Sequence, residues 1–124
     1  MKEADPVRYL YFGSMDTKHQ GVVTVAYERR NGMIFCGFAF CSPKDPFCRR
    51  IGRAIASGRL QCDRLNYATV ATEDLIQDVA ALFRTVHDRP RHFQGWDLRR
   101  VTLRVPVKRM PPTLTWRGKG ATLA

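Results

Sequence analysis

Missing from this sequence is any apolar run approaching the roughly 20 residues a bilayer crossing needs. The opening Met1-Lys2-Glu3-Ala4-Asp5-Pro6 likewise holds no uninterrupted apolar segment of the kind that directs secretion. Both absences lead to the expectation of a cytoplasmic protein. Cysteine is limited to positions 36, 41, 48 and 62, with no C-x-x-C pair and no histidine at finger-like spacing, so neither a structural zinc site nor any other metal is expected. Without a secretory leader, the four are read as free thiols packing as small apolar groups. Histidine occurs only at 19, 87 and 92, in loops or at a helix end without a patterned acidic partner. Asp74 and Asp78 lie one helical turn apart, but near a helix start they more simply satisfy its dipole. No Gly-rich phosphate loop is present, and no nucleophile–base or paired-carboxylate constellation is complete. The sequence therefore reads as non-enzymatic, with no cofactor.

Acidic residues are scarce as well. Eleven Asp and Glu stand against 21 Lys and Arg, a formal net charge of +10 on 124 residues, which draws polyanions: nucleic acid, nucleotides or an acidic protein. With 44% apolar content, the length fits a single domain, 1–124, with a modest core.

Along the chain, Val7 to Phe12 reads as a short aromatic strand ending at Gly13-Ser14, with a loop to Gly21. Val22 to Arg29 and Met33 to Phe40 form a hairpin through Arg30-Asn31-Gly32, because Asn-Gly suits a turn with positive φ. The second run is almost wholly apolar, which places it nearer the sheet centre than the first. Residues 46–58 form a helix, and Asn66 to Val70 a short strand. Thr72 caps a second, amphipathic helix over 72–87 whose apolar face carries Leu75, Ile76, Val79, Leu82, Phe83 and Val86 and which stops before Pro90. Val101 to Val107 alternates as a strand limited by Pro106, and the tail 110–124, rich in Pro, Gly and Lys, is expected to be partly mobile. The fold class is α+β: an antiparallel sheet of four to five strands with two helices packed on it.

The junction before the first helix carries the strongest functional signal. Asp45 as N-cap and Pro46 as first helical residue would leave the next N–H groups pointing outward, where they and the helix dipole favour an anion. Phe47, Ile51, Ala54 and Ile55 would form its apolar face. Gly52 would allow close packing, and Gly58 would serve as C-cap. Lys44, Arg49, Arg50 and Arg53 surround that end with cations. Further clusters are Arg29 with Arg30, Arg89 with Arg91, and Arg99, Arg100, Arg104, Lys108 and Arg109. Arginine predominates, and its planar fork suits bidentate phosphate contact and base stacking. Phe93 and Trp96 sit among cations, as does Trp116 beside Arg117. For Phe93 and Trp96, either a stacking platform or closure of the core edge is open.

The run Phe38-Ala39-Phe40-Cys41-Ser42-Pro43-Lys44-Asp45, with Phe47, Arg49, Arg50, Ile51-Gly52-Arg53 and Ala56-Ser57-Gly58-Arg59-Leu60, resembles small bacteriophage proteins of the anti-Thoeris sponge type. Size and the order of elements point the same way. The resemblance implies a non-catalytic protein of the host bacterial cytoplasm that sequesters cyclic ADP-ribose isomers, with cyclic oligonucleotides of the CBASS type as further ligands. It also implies homo-oligomers built on dimers, up to a hexamer. In that setting, loop 89–96, with Arg91, His92, Phe93 and Trp96, would supply stacking and amide contacts. Arg104, Arg109 and the basic helix would supply phosphate contacts. The rival is a small basic nucleic-acid-binding protein, which the charge and the Arg–aromatic interleaving describe equally well.

Overall fold

The computed structural model describes residues 6–16, 18 and 20–101. In chain order these form β1 (Arg8–Ser14), β2 (Val22–Arg30), β3 (Met33–Cys41), α1 (Arg49–Leu60), β4 (Tyr67–Val70), α2 (Leu75–Arg84), a 3-10 turn (Arg91–Phe93) and β5 (Leu98–Arg100). The strands make one sheet of order β4-β3-β2-β1-β5 with every neighbouring pair antiparallel, so the expected α+β class holds at five strands and two helices. The hairpin turns through Asn31 at φ 50 and Gly32 at φ 78, the two positive angles a tight turn between right-twisted strands requires. Of the expected strand at 101–107, only Val101 is described. It follows β5 and donates its N–H to the Tyr11 carbonyl, and the remainder with the 110–124 tail lies outside the described residues.

β2, not β3, is the middle strand. The apolar character of β3 comes instead from having both faces covered. Ile34, Cys36 and Phe38 point into a core with Leu10, Phe12, Val23 and Val25, closed by Val79, Leu82 and Phe83 of α2 and by Val86, Phe93 and Trp96 beyond it. Ala39 points the other way, into a second and smaller cluster with Ala26 and with Ala56 and Leu60 of α1. The two helices thus lie on opposite faces of the sheet.

The seat of α1 differs from the expected one in its start, its face and its end. Asp45 closes a turn, its N–H donating to the Ser42 carbonyl at 3.1 Å while the Ser42 hydroxyl reaches Asp45 Oδ2 at 3.3 Å. It is therefore not available as a helix cap. Helix begins at Arg49, with Cys48 as N-cap and no side-chain cap bond. The buried face is Ala56 and Leu60, with Gly52 against Thr24, whereas Ile51 and Ile55 are 53% and 42% exposed. Gly58 lies inside the helix, which continues to Leu60 and is capped by Gln61 in a right-handed conformation.

Small residues win because the wall opposite is smaller still. A Cβ at Gly37 would stand 2.2 Å from the Ala56 carbonyl oxygen and 2.5 Å from the Leu60 nitrogen, so helix backbone rests directly on strand backbone. One at Gly52 would stand 2.8 Å from Thr24 Oγ1, as the expected close packing requires.

α2 is capped by Asp74, whose carboxylate accepts from the Gln77 N–H, rather than by Thr72. Thr72 instead donates its backbone N–H and its hydroxyl, both at 2.8 Å, to the two carboxylate oxygens of Asp78. Asp78 is 5% exposed, and these bonds replace the water it loses. The helix ends at Arg84 with Thr85 as cap, short of the expected residue 87.

Gly37→Ala is expected to lower stability by about 3 kcal/mol or to prevent folding, since the clash is with backbone that no rotamer change relieves. Gly58→Ala, with open space around the new Cβ, should raise it by about 0.5–1 kcal/mol through helix propensity. Thermal melts of both variants check the pair. A second expectation concerns alkali. Burial, and secondarily the charge of Asp78, pushes the Cys36 thiol up from 9.0 to about 12. Above pH 9 the unfolded chain releases a proton that the folded chain keeps. The stabilisation from Cys36 is thus complete below pH 9 and is lost between pH 9 and 12. Urea unfolding across pH 7–11 should show a shallower alkaline fall for Cys36→Ala than for the wild type.

Candidate functional site

β4 pairs with β3 only along Met33–Cys36, so residues 37–41 of β3 are paired on the β2 side alone. Beside this uncovered edge lies a cavity of about 400 Å³. Its walls come from both layers: Ile55 and Arg59 of α1 on one side, and Tyr67, Val86, Asp88 and Pro90 on the other. Phe38 and Phe40 form the floor, with Arg64 and Leu65 at the rim. Arg59 Nη1 donates to the Phe38 carbonyl at 2.7 Å, which caps an edge acceptor and fixes the guanidinium at the slot. The Tyr67 hydroxyl lies 3.5 Å from Asp88 Oδ1. Burial first, and the Asp88 charge and hydrogen bond after it, raise the Tyr67 pKa, so the phenol keeps its proton and remains a donor. The Tyr67 and Phe38 rings meet edge to face at 5.9 Å. An apolar aromatic floor with a few polar groups at the rim is the usual make-up of a small-molecule pocket, and the volume lies within the usual range.

A second cavity, of about 270 Å³, adjoins the first. It shares Phe40 and Ile55 and is lined by Thr24, Ala39, Cys41, Phe47, Cys48, Ile51 and Gly52, with Asp45 and Pro46 at one end. Ile55 of α1 thus lines both cavities, and Ile51 the second alone.

The expected site residues divide into three groups. Lys44 and Arg50 are exposed, on the 42–45 turn and the first turn of α1. Arg49 and Arg53 lie on the β1 side of the helix, against β1 tyrosines: Arg53 Nε donates to the Tyr11 hydroxyl at 2.7 Å and its guanidinium lies 5.1 Å from the Tyr9 ring, while that of Arg49 lies 5.4 Å from the Tyr11 ring. Loop 89–96 is the second group. Phe93 and Trp96 are 1% and 3% exposed, so their rings close the core edge and present no face for stacking, which corrects the platform expectation. The physical reason is Arg89, whose Nε donates to the Val86 carbonyl and whose Nη1 donates to those of Phe93 and Trp96, tying the loop down over the Phe83 ring. His92 Nε2 is 2.5 Å from the Gln20 carbonyl, a contact that needs that nitrogen protonated. Arg91 is exposed on the 3-10 turn. Arg104 and Arg109 form the third group and lie outside the described residues.

The structure thus sets Arg49 and Arg53 together against the β1 tyrosines, while Lys44, Arg50 and Arg91 are exposed. Sequence reasoning missed Arg59, Arg64, Tyr67 and Asp88 as groups around one cavity. The signal available was the placement of Arg59 within the resembling segment, one turn past Ile55. Among the described residues, no group of three or more His, Cys, Asp or Glu can hold a metal ion, and no helix is long and apolar enough to cross a membrane. No family model, no curated protein and no solved structure matches the chain.

Arg89→Lys is expected to lower stability by about 2 kcal/mol, because an ammonium cannot span three carbonyls in the planar fork that guanidinium supplies. Arg91→Lys should stay within about 0.5 kcal/mol, as surface changes do. Urea unfolding monitored by tryptophan fluorescence reads both.

Proposed function

We propose that this protein is a non-catalytic binder that sequesters a cyclic nucleotide signal, and that the slot beside β3 receives it. The observation that carries this reading is Arg59, held at the slot mouth by its bond to the Phe38 carbonyl, above an aromatic floor in a cavity of nucleotide scale. Phe40 and Tyr67, both half-buried, would take the base, with Phe38 buried beneath them. Arg59 and Arg64 would take phosphate oxygens, for which guanidinium is the strongest neutral-pH donor among side chains. The polar groups here are two permanent cations, a phenol that keeps its proton and the Asp88 carboxylate that accepts from that phenol. The cations outnumber the one carboxylate, so the set favours an anionic guest, and it holds no Ser, Cys or Lys to act as a nucleophile.

With the likeness of residues 38–60 to anti-Thoeris sponges, the proposed ligands are cyclic ADP-ribose isomers, with cyclic oligonucleotides second, and the proposed consequence is inhibition of bacterial immunity by a phage protein. A homo-oligomer is part of the same reading. Exposed Ile55 lies where the two cavities meet, with exposed Ile51 beside it in the second, and a second copy covering them would both remove apolar surface from water and deepen the slot.

Incubation with cyclic ADP-ribose isomers and cyclic dinucleotides, heat denaturation and mass spectrometry of the supernatant should return the bound compound chemically unchanged. By calorimetry, Arg59→Ala and Arg64→Ala should each weaken binding at least tenfold, about 1.4 kcal/mol. Recovery of a hydrolysed product, or full affinity in both variants, would reject the assignment.

A further inference from the structure

On the other side of α1 from the slot, the sheet carries a second basic surface with its own geometry. Tyr9, Tyr11 and Gly13 alternate with the buried Leu10 and Phe12 along β1, so they share the face opposite the main core. α1 lies over β2 and β3 and reaches β1 through side chains. Arg53 bonds the Tyr11 hydroxyl and stacks on Tyr9, and Arg49 stacks on Tyr11. From the far edge, Arg99 of β5 pairs with Gly13. Its Nη2 lies 3.4 Å from where a Gly13 Cβ would be, so this guanidinium extends across the same face. Arg99 Nε is fixed in turn by the Ser14 carbonyl at 3.3 Å.

We propose that this face docks single-stranded nucleic acid, with Arg53 and Arg99 meeting phosphates and bases lying on the outer planes of the Arg49 and Arg53 guanidiniums that cover Tyr11 and Tyr9. Each guanidinium is fixed by a stack or a hydrogen bond before any ligand arrives, so less side-chain freedom is lost on phosphate contact. Arg49 and Arg53 are four residues apart on one helix, about 6 Å along its axis, and Arg99 continues the line over bare Gly13 backbone. Arg53 and Arg99 form no ion pair among the described residues.

A single strand fits this surface better than a duplex. A guanidinium plane held over a tyrosine ring can receive only an unstacked base. The surface is independent of the slot, and neither proposal requires the other.

Fluorescence anisotropy of the full chain with a fluorescein-labelled oligo-dT of about 15 nucleotides, and with a duplex of equal length, tests this at several salt concentrations. Tighter binding of the single strand is expected. Arg53→Gln and Arg99→Gln should each weaken it at least fivefold and reduce the salt slope by about 0.7. Tyr11→Leu should weaken it by about fivefold or more, because it removes the ring and hydroxyl that hold Arg49 and Arg53 in place, with its fold checked by circular dichroism. Arg29→Gln, an exposed hairpin-tip change, should leave the affinity within twofold. Preference for the duplex, an equal loss in Arg29→Gln, or unchanged affinity in both Arg53→Gln and Arg99→Gln would overturn the proposal. The two arginine variants keep the test decisive should Tyr11→Leu fail to fold.

Discussion

Contact between the backbone of α1 and the backbone of β3 at Gly37 is the constraint on which the rest of this molecule depends. With no Cβ on the strand, the Ala56 carbonyl and the Leu60 nitrogen settle closer to the sheet than any side chain would permit. That depth decides which helix residues are buried. Gly52, Ala56 and Leu60 face the sheet, and the larger Ile51 and Ile55 are rotated outward. It also places Arg59 within reach of the Phe38 carbonyl on one flank, and Arg49 and Arg53 over the β1 tyrosines on the other. One close approach thus positions both the slot and the basic aromatic face.

The elements legible in the sequence were those whose signal is local. Asn31-Gly32 announces its turn through a backbone requirement of two residues, and the stripe from Leu75 to Phe83 announces α2 through spacing alone. The errors came where a distant partner decides. A reading weighted by side-chain size puts Ile51 and Ile55 against the sheet. Nothing near them in sequence says that the opposing wall is Ala26, Gly37 and Ala39, into which only small residues sink. Asp45-Pro46 has the form of a helix start, yet the Ser42 carbonyl and hydroxyl capture Asp45 first, and the first helical turn is delayed to Arg49. Local polar competition of this kind is why such residues favour turns as readily as caps.

The candidate site was legible only in part, because arginine serves two ends in this chain. Counted from the sequence, every cation is available to a ligand. In the fold, Arg89 is bound to three carbonyls, Arg30 pairs with Glu28 over the Phe35 ring, and Arg53 and Arg59 are each fixed by a hydrogen bond across elements. Phe93 and Trp96 followed the same logic and became core because Arg89 draws their loop inward. The residues around the slot, from Phe38 to Asp88, come from four separate stretches of chain, and only the short length of β4 brings them to one opening.

The sheet also keeps its two apolar clusters from sharing side chains. The cluster beneath α2 is built of large aliphatic and aromatic groups, which can exchange volume among themselves, while the one beneath α1 is set by main-chain atoms and has almost no slack. Drift under α2 can therefore be absorbed where it arises, without tilting the helix that carries the arginines. The protein is in this sense an anvil with a cushion on its back: one layer is free to be re-upholstered, and the working surface keeps its alignment.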